Sequence, residues 1–157
     1  AVMVGDRVAN KLVADGGEFY HGFTYSGHLV AAAVALANLE IIEGEGLVDR
    51  VRQDTGPYLA EALAPLAEHR LVGEVRTYGM LAAIELVRSK DGPEMFADTG
   101  TVGAICRDHA IAGGLMMRAV RDAMILSPPL TFTRDDIDET VRIARRALDL
   151  TADQLRL

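Results

Sequence analysis

The chain has one cysteine, no tryptophan and two lysines, Lys11 and Lys90. A lone thiol, Cys106, can form neither an internal disulfide nor a cysteine metal cluster, which points to a reducing, cytoplasmic setting. Long apolar runs are also missing. A membrane-spanning helix needs about 20 predominantly apolar residues, and the longest run, 29–39, is shorter and broken by Asn38. Asp6, Arg7 and Lys11 interrupt the N-terminal apolar stretch, so no secretory leader is expected. Positive charge is outweighed, with 16 Lys and Arg against 23 Asp and Glu and a net charge of −7. Such a balance argues against phosphate-backbone binding and hence against a nucleic-acid partner. Neither a glycine-rich dinucleotide fingerprint nor a phosphate-loop lysine motif occurs.

What remains is ordinary globular composition: 157 residues, 50% hydrophobic and 25% charged. A domain of this size buries roughly 70% of the surface its unfolded chain exposes, enough for a real core. Residues 1–4 read as a short buried strand closed by Gly5-Asp6. This is an abrupt opening, and it predicts that Ala1 is not a natural beginning. A short helix over 7–14 should end at Asp15-Gly16-Gly17, where glycine tolerates a left-handed cap. The stretch 19–28 lacks periodicity and reads as a loop. Residues 29–42 form a helix apolar nearly all round, hence buried.

Gly44-Glu45-Gly46 breaks that helix and marks a change of structural unit. An amphipathic helix over 47–69 directs Val48, Val51, Tyr58, Leu59, Leu63 and Leu66 to the core, with a kink or a helix–turn–helix expected where Pro57 and Pro65 fall. Strands follow at 71–76 and 79–87 around Thr77-Tyr78, then a polar loop over 89–100 with a turn signal at Asp91-Gly92-Pro93. A helix over 101–111 stops at Gly113-Gly114. Two strands, 115–119 and 124–127, flank a turn at 120–122. Thr133 with Asp135 and Asp136 is a helix N-cap signature, opening a last helix to about residue 150. The order predicts an α/β fold with a small, mainly antiparallel sheet.

Few residues offer chemistry. The loop Phe19-Tyr20-His21-Gly22-Phe23-Thr24-Tyr25-Ser26-Gly27-His28 places hydroxyls and small residues before a helix N-terminus. That arrangement suits either anion capture or simple capping of the helix through Ser26. His21 and His28 have no carboxylate or cysteine at metal-ligand spacing, so no metal site is expected. Arg118 interrupts an apolar strand, where a charge must be paired, face a cavity or face water at an edge. A guanidinium grips a carboxylate through two parallel hydrogen bonds, so a substrate carboxylate is one natural partner and an internal acid another. Glu85 reads as a sheet-face residue pairing with Arg76 or Arg88, Cys106 as core, and Arg121 as an exposed turn residue.

Taken together, four stretches resemble the C-terminal part of the class III, fold-type I, pyridoxal-phosphate-dependent aminotransferases, especially the omega-amino acid:pyruvate transaminases. They are Val2-Met3-Val4-Gly5, His21-Gly22-Phe23-Thr24-Tyr25-Ser26-Gly27-His28, residues 79–86 ending in Ile84-Glu85-Leu86, and residues 115–119 with Ser127-Pro128-Pro129-Leu130. The resemblance implies the end of the large cofactor-binding domain over 1–44 (its last strand and helix) and the small α+β C-terminal domain over 45–157. It gives Thr24 and the Phe23 backbone N–H the phosphate of pyridoxal 5'-phosphate in a neighbouring subunit, within a homodimer or tetramer. Arg118 becomes the mobile arginine for a substrate carboxylate. Two departures stand out: Leu29 where the family has proline, and Arg121 where it commonly has glycine.

In that family the lysine forming the Schiff base would precede Ala1. The resemblance therefore implies no catalytic residue within this chain, which should be inactive without the N-terminal part of the subunit. Lys11 and Lys90 are expected on the surface. The implied activity is amino transfer from an amine or omega-amino acid to a keto acid such as pyruvate, with no membrane partner. A related aminomutase or decarboxylase, or a non-catalytic α/β interaction domain, are the alternatives.

Overall fold

The computed structural model describes residues 3–16, 22–92 and 94–157. Two compact units are distinguished, Ala1–Glu40 and Ile41–Leu157, and the division falls inside a helix.

In the first unit, α1 (Asp6–Asp15) forms where the apolar spacing predicts it. Its cap, Gly16, is right-handed rather than left-handed and donates its N–H to Leu12 O at 2.9 Å. Of the strand expected over 1–4, Ala1 and Val2 lie outside the described residues, and Met3 and Val4 adopt no strand. Helix α2 (Leu29–Gly44) is present, but none of its side chains is buried, against expectation. Leu29, Val30 and Val34 are well exposed. A helix apolar on every side needs neighbours on every side, and hydropathy alone does not say which chain segment supplies them.

The second unit opens with one helical stretch whose geometry changes near each proline. It comprises α3 (Leu47–Arg50), a π-turn (Val51–Thr55), α4 (Gly56–Leu63) and a 3-10 turn (Ala64–Glu68). The wide π-turn inserts residues into the helical period and rotates the face it presents. As a result Leu47 is buried while Val48, expected in the core, is exposed. Beyond the turn the predicted Leu59, Leu63 and Leu66 are all buried, and Val51 and Tyr58 are half-buried.

Strands β1 (Val72–Tyr78), β2 (Leu81–Leu86), β3 (Arg118–Val120) and β4 (Ala123–Leu126) form one antiparallel sheet in the order β1-β2-β4-β3. The first hairpin turns at Gly79-Met80, not at Thr77-Tyr78, because Gly79 takes the φ of +56° that the turn requires. Alternation along β2 and β4 sends Ala82, Ile84, Leu86, Met124 and Leu126 into the core. There they meet α4, α5 (Thr101–Ala112) and α6 (Arg134–Leu155). Cys106 is fully buried on α5, as expected; burial pushes its thiol up to about 11. Thr133 caps α6 in a reciprocal box with Asp136: Asp136 N–H donates to Thr133 Oγ1 at 3.2 Å and Thr133 N–H to Asp136 Oδ2 at 2.9 Å.

Candidate functional site

The first cluster of predicted site residues is the turn before α2. Phe23 N–H donates to Ser26 Oγ at 3.0 Å, and Ser26 N–H returns a bond to Phe23 O at 2.9 Å. These bonds close a tight loop that Gly27 leaves with φ of +75°. The helix cap expected of Ser26 is supplied instead by His28, whose Nδ1 accepts from Ala31 N–H at 3.1 Å. That bond accounts for one of the two histidines in structural terms. His21, together with 17–20, lies outside the described residues. Thr24 is exposed on the turn.

The second cluster centres on Arg118, in the other unit. Strand β3 is at the sheet edge and among the described residues pairs only with β4, so Arg118 occupies an edge position rather than a paired interior one. Register places Arg76, Ala83, Ile125 and Arg118 in one row across the sheet, on the face opposite the core. The row holds two guanidiniums with different fates. Arg76 is neutralised by Glu74 at 2.6 Å and Glu85 at 3.0 Å, which raises its pKa further. Glu85 is thereby used as a sheet-face partner. Arg118 is exposed, and no ion pair joins it to a carboxylate among the described residues. It borders an open cavity of about 480 Å³ shared with Met116, Ile125, Ser127, Pro129 and Phe132. A fork of donors at the edge of a mostly apolar cavity is suited to hold a small organic carboxylate.

The β3–β4 turn holds Asp122, whose importance sequence reasoning missed, next to Arg121, read there as an exposed turn residue. Arg121 is exposed and left-handed, with φ of +55°, a conformation costly to any residue carrying a Cβ. Beside it Asp122 is buried, at 2% exposure, and accepts from Gly100 N–H and Gly103 N–H at 2.9 Å each. The signal available was a carboxylate between a polar turn and an apolar strand, but nothing in the sequence indicates which helix it would meet.

Neither lysine stands at these sites. Lys11 pairs with Asp15 on α1, and Lys90 Nζ donates to Ala67 O at 2.5 Å. Among the described residues no His, Cys, Asp and Glu group is placed to hold a metal, and no helix is long and apolar enough to cross a membrane.

Comparison with known proteins gives this geometry its context. The chain is 52% identical over 151 residues to putrescine–pyruvate aminotransferase of Pseudomonas aeruginosa, covering 96% of this chain and 33% of that protein. It is 41% identical over 160 residues to diaminobutyrate–2-oxoglutarate transaminase of Halomonas elongata, covering 98% and 34%. The fold matches the omega transaminase of Pseudomonas jessenii in complex with PMP, with a TM-score of 0.83 and 39% identity, over 95% of this chain and 32% of that one. The chain thus spans about a third of the length of the curated relatives it matches. The family model for class-III aminotransferases matches residues 1–148, and this chain belongs to that family.

Proposed function

We propose that this chain is the C-terminal portion of a cytoplasmic, homodimeric aminotransferase that moves an amino group from an amine or omega-amino acid to a keto acid such as pyruvate. The observation that carries this reading is the guanidinium of Arg118, without an ion pair among the described residues and beside a mostly apolar cavity, in a row where the other arginine is neutralised. Residues 1–44 would close the large cofactor-binding domain and 45–157 form the small one. The exposed apolar faces of α2 would then be covered by the rest of the subunit.

Class-III aminotransferases depend on pyridoxal 5'-phosphate, which when bound supplies the electron sink for breaking and making bonds at the amino-bearing carbon. The turn before α2 offers donors that fit its phosphate. Thr24 presents an exposed hydroxyl ahead of a helix N-terminus, where anions are favoured. The Phe23 N–H already donates to Ser26 Oγ, so it would serve a phosphate only as a shared donor. Thr24 is therefore the principal contact in this reading, directed to a neighbouring subunit's cofactor. Because Lys11 and Lys90 are engaged elsewhere on the surface, the covalent lysine is assigned to the remainder of the subunit.

Arg118 binds and orients the carboxylate of a keto acid or amino acid. Its long stem and planar fork allow it to turn outward when a substrate lacks that group, a use for which lysine is poorly suited. The test is Arg118→Ala in the full-length enzyme. Losing a bidentate, charge-assisted contact should lower kcat/KM for pyruvate and L-alanine on the order of 10–100-fold. Putrescine, without a carboxylate, should lose much less. Equal losses would assign Arg118 a structural role, and consumption of amine without amino delivery to pyruvate would refute the transaminase reading.

A further inference from the structure

We infer that Asp122 is a positioning residue for carboxylate recognition, acting through the β3–β4 hairpin that carries Arg118; this rests on the reading of Arg118 given above. The N-cap of α5 is Gly100, at φ of +94°, which has no side chain to satisfy the first helical N–H groups. The cap comes from another element. Asp122 Oδ2 takes Gly100 N–H and Oδ1 takes Gly103 N–H, each at 2.9 Å, with the carboxylate buried at 2% exposure. A buried carboxylate aimed at a helix N-terminus gains from both hydrogen bonds and the partial positive charge there.

The same residue is held through its backbone, since Leu86 N–H donates to Asp122 O at 2.9 Å. The turn is thus tied to α5 on one side and to the end of β2 on the other. Contact is so close that a Cβ on Gly103 would stand 2.1 Å from Arg121 O. Arg118 lies three residues before Arg121 on a three-residue edge strand that, among the described residues, has a single ladder, to β4. On its other side stands the buried Met117, preceded by Gly113-Gly114. A strand with one ladder is weakly held, so the clamp at its turn sets where the stem of Arg118 begins. A side chain that swings between two substrate types needs such a fixed origin, because a displacement near 1 Å from a distant change can cost about 100-fold. Nothing about Asp122 itself touches the cavity, which separates it from the binding residues.

The experiment uses the intact full-length holoenzyme and four forms: wild type, Asp122→Asn, Arg118→Ala and the double variant. The quantity read is kcat/KM for L-alanine divided by that for putrescine. Asparagine keeps the shape but turns an N–H₂ toward a glycine N–H, so the clamp opens. Asp122→Asn should lower the ratio by about tenfold, mainly through the KM for L-alanine. In the Arg118→Ala background it should add nothing, because the two changes act on one element. Hydrogen exchange supplies a readout independent of turnover: amides of 100–104 and 118–121 should exchange faster in Asp122→Asn. If Arg118→Ala lowers the ratio and Asp122→Asn does not, or lowers both substrates alike, this inference alone is overturned. If Arg118→Ala leaves the ratio unchanged, the reading of Arg118 fails and takes the inference with it. Should Asp122→Asn not yield soluble enzyme, Gly103→Ala opens the same clamp from the helix side with Asp122 intact.

Discussion

Gly103→Ala tests the packing of the β3–β4 turn through the sign of its effect. Gly103 is buried in the first turn of α5, where replacing glycine with alanine in an unobstructed helix stabilises by roughly 1 kcal/mol. Here the added Cβ would sit 2.1 Å from Arg121 O, 3.1 Å from Arg121 C and 3.1 Å from Asp122 Cα. These are backbone atoms, so no side-chain rotation relieves the clash and the turn must move outward by about 1 Å to reach ordinary contact distance. That movement breaks the 2.9 Å bond from Gly103 N–H to Asp122 Oδ1. A hydrogen bond to a charged group contributes about 1.5–3 kcal/mol, and the buried carboxylate is left partly unsatisfied. Setting the propensity gain against this loss, the variant should be destabilised by about 1–3 kcal/mol. Urea unfolding of the intact enzyme, followed by a probe in the unit Ile41–Leu157, measures it. An unchanged or raised stability would refute the close approach of turn and helix.

Three further outcomes follow from particular residues. Arg121→Gly relieves a non-glycine residue at φ of +55° and, after the entropic cost of glycine, should stabilise by about 0.5–1 kcal/mol in the same unfolding assay. His69 is buried with Nδ1 accepting from Leu71 N–H at 3.2 Å and Nε2 3.3 Å from Asp149. Burial holds its pKa below the usual histidine value, with Arg145 and Arg70 adding to the effect and Asp149 opposing it. The native state thus favours neutral His69 while the unfolded chain takes up a proton near pH 6.5, so this stabilisation is complete above about 6.5 and lost as pH falls below it. His69→Gln should flatten that part of the stability–pH curve. Cys106, with its thiol pushed up to about 11 and no exposure, should react with a disulfide reagent at neutral pH only as fast as the domain opens.

Much of the second unit was legible because its signals are local. The Thr133 cap, the glycine stops after α5 and the alternation along β2 each depend on neighbours a few residues away. Where the reading missed, a non-local or non-periodic effect intervened. The π-turn at Val51–Thr55 exchanged Val48 for Leu47 in the core, since a 3.6-residue period cannot register an insertion. The first hairpin moved to Gly79-Met80 because a positive φ outweighed the polar appearance of Thr77-Tyr78.

The sequence by itself determined the acidic balance, the isolated thiol, the Thr133 cap, the strand periods of β2 and β4, and the motifs that resemble class-III aminotransferases. Those properties are carried by residue types and short spacings. Tertiary structure decided which charges are free. Arg76 and Arg118 look alike as arginines within strand-like runs, yet register places Glu85 beside one and leaves the other at an edge facing a cavity. It also decided that Asp122 caps α5 at Gly100, 22 residues before it. Pairings across that separation follow from how strands and helices pack, and no local pattern encodes them.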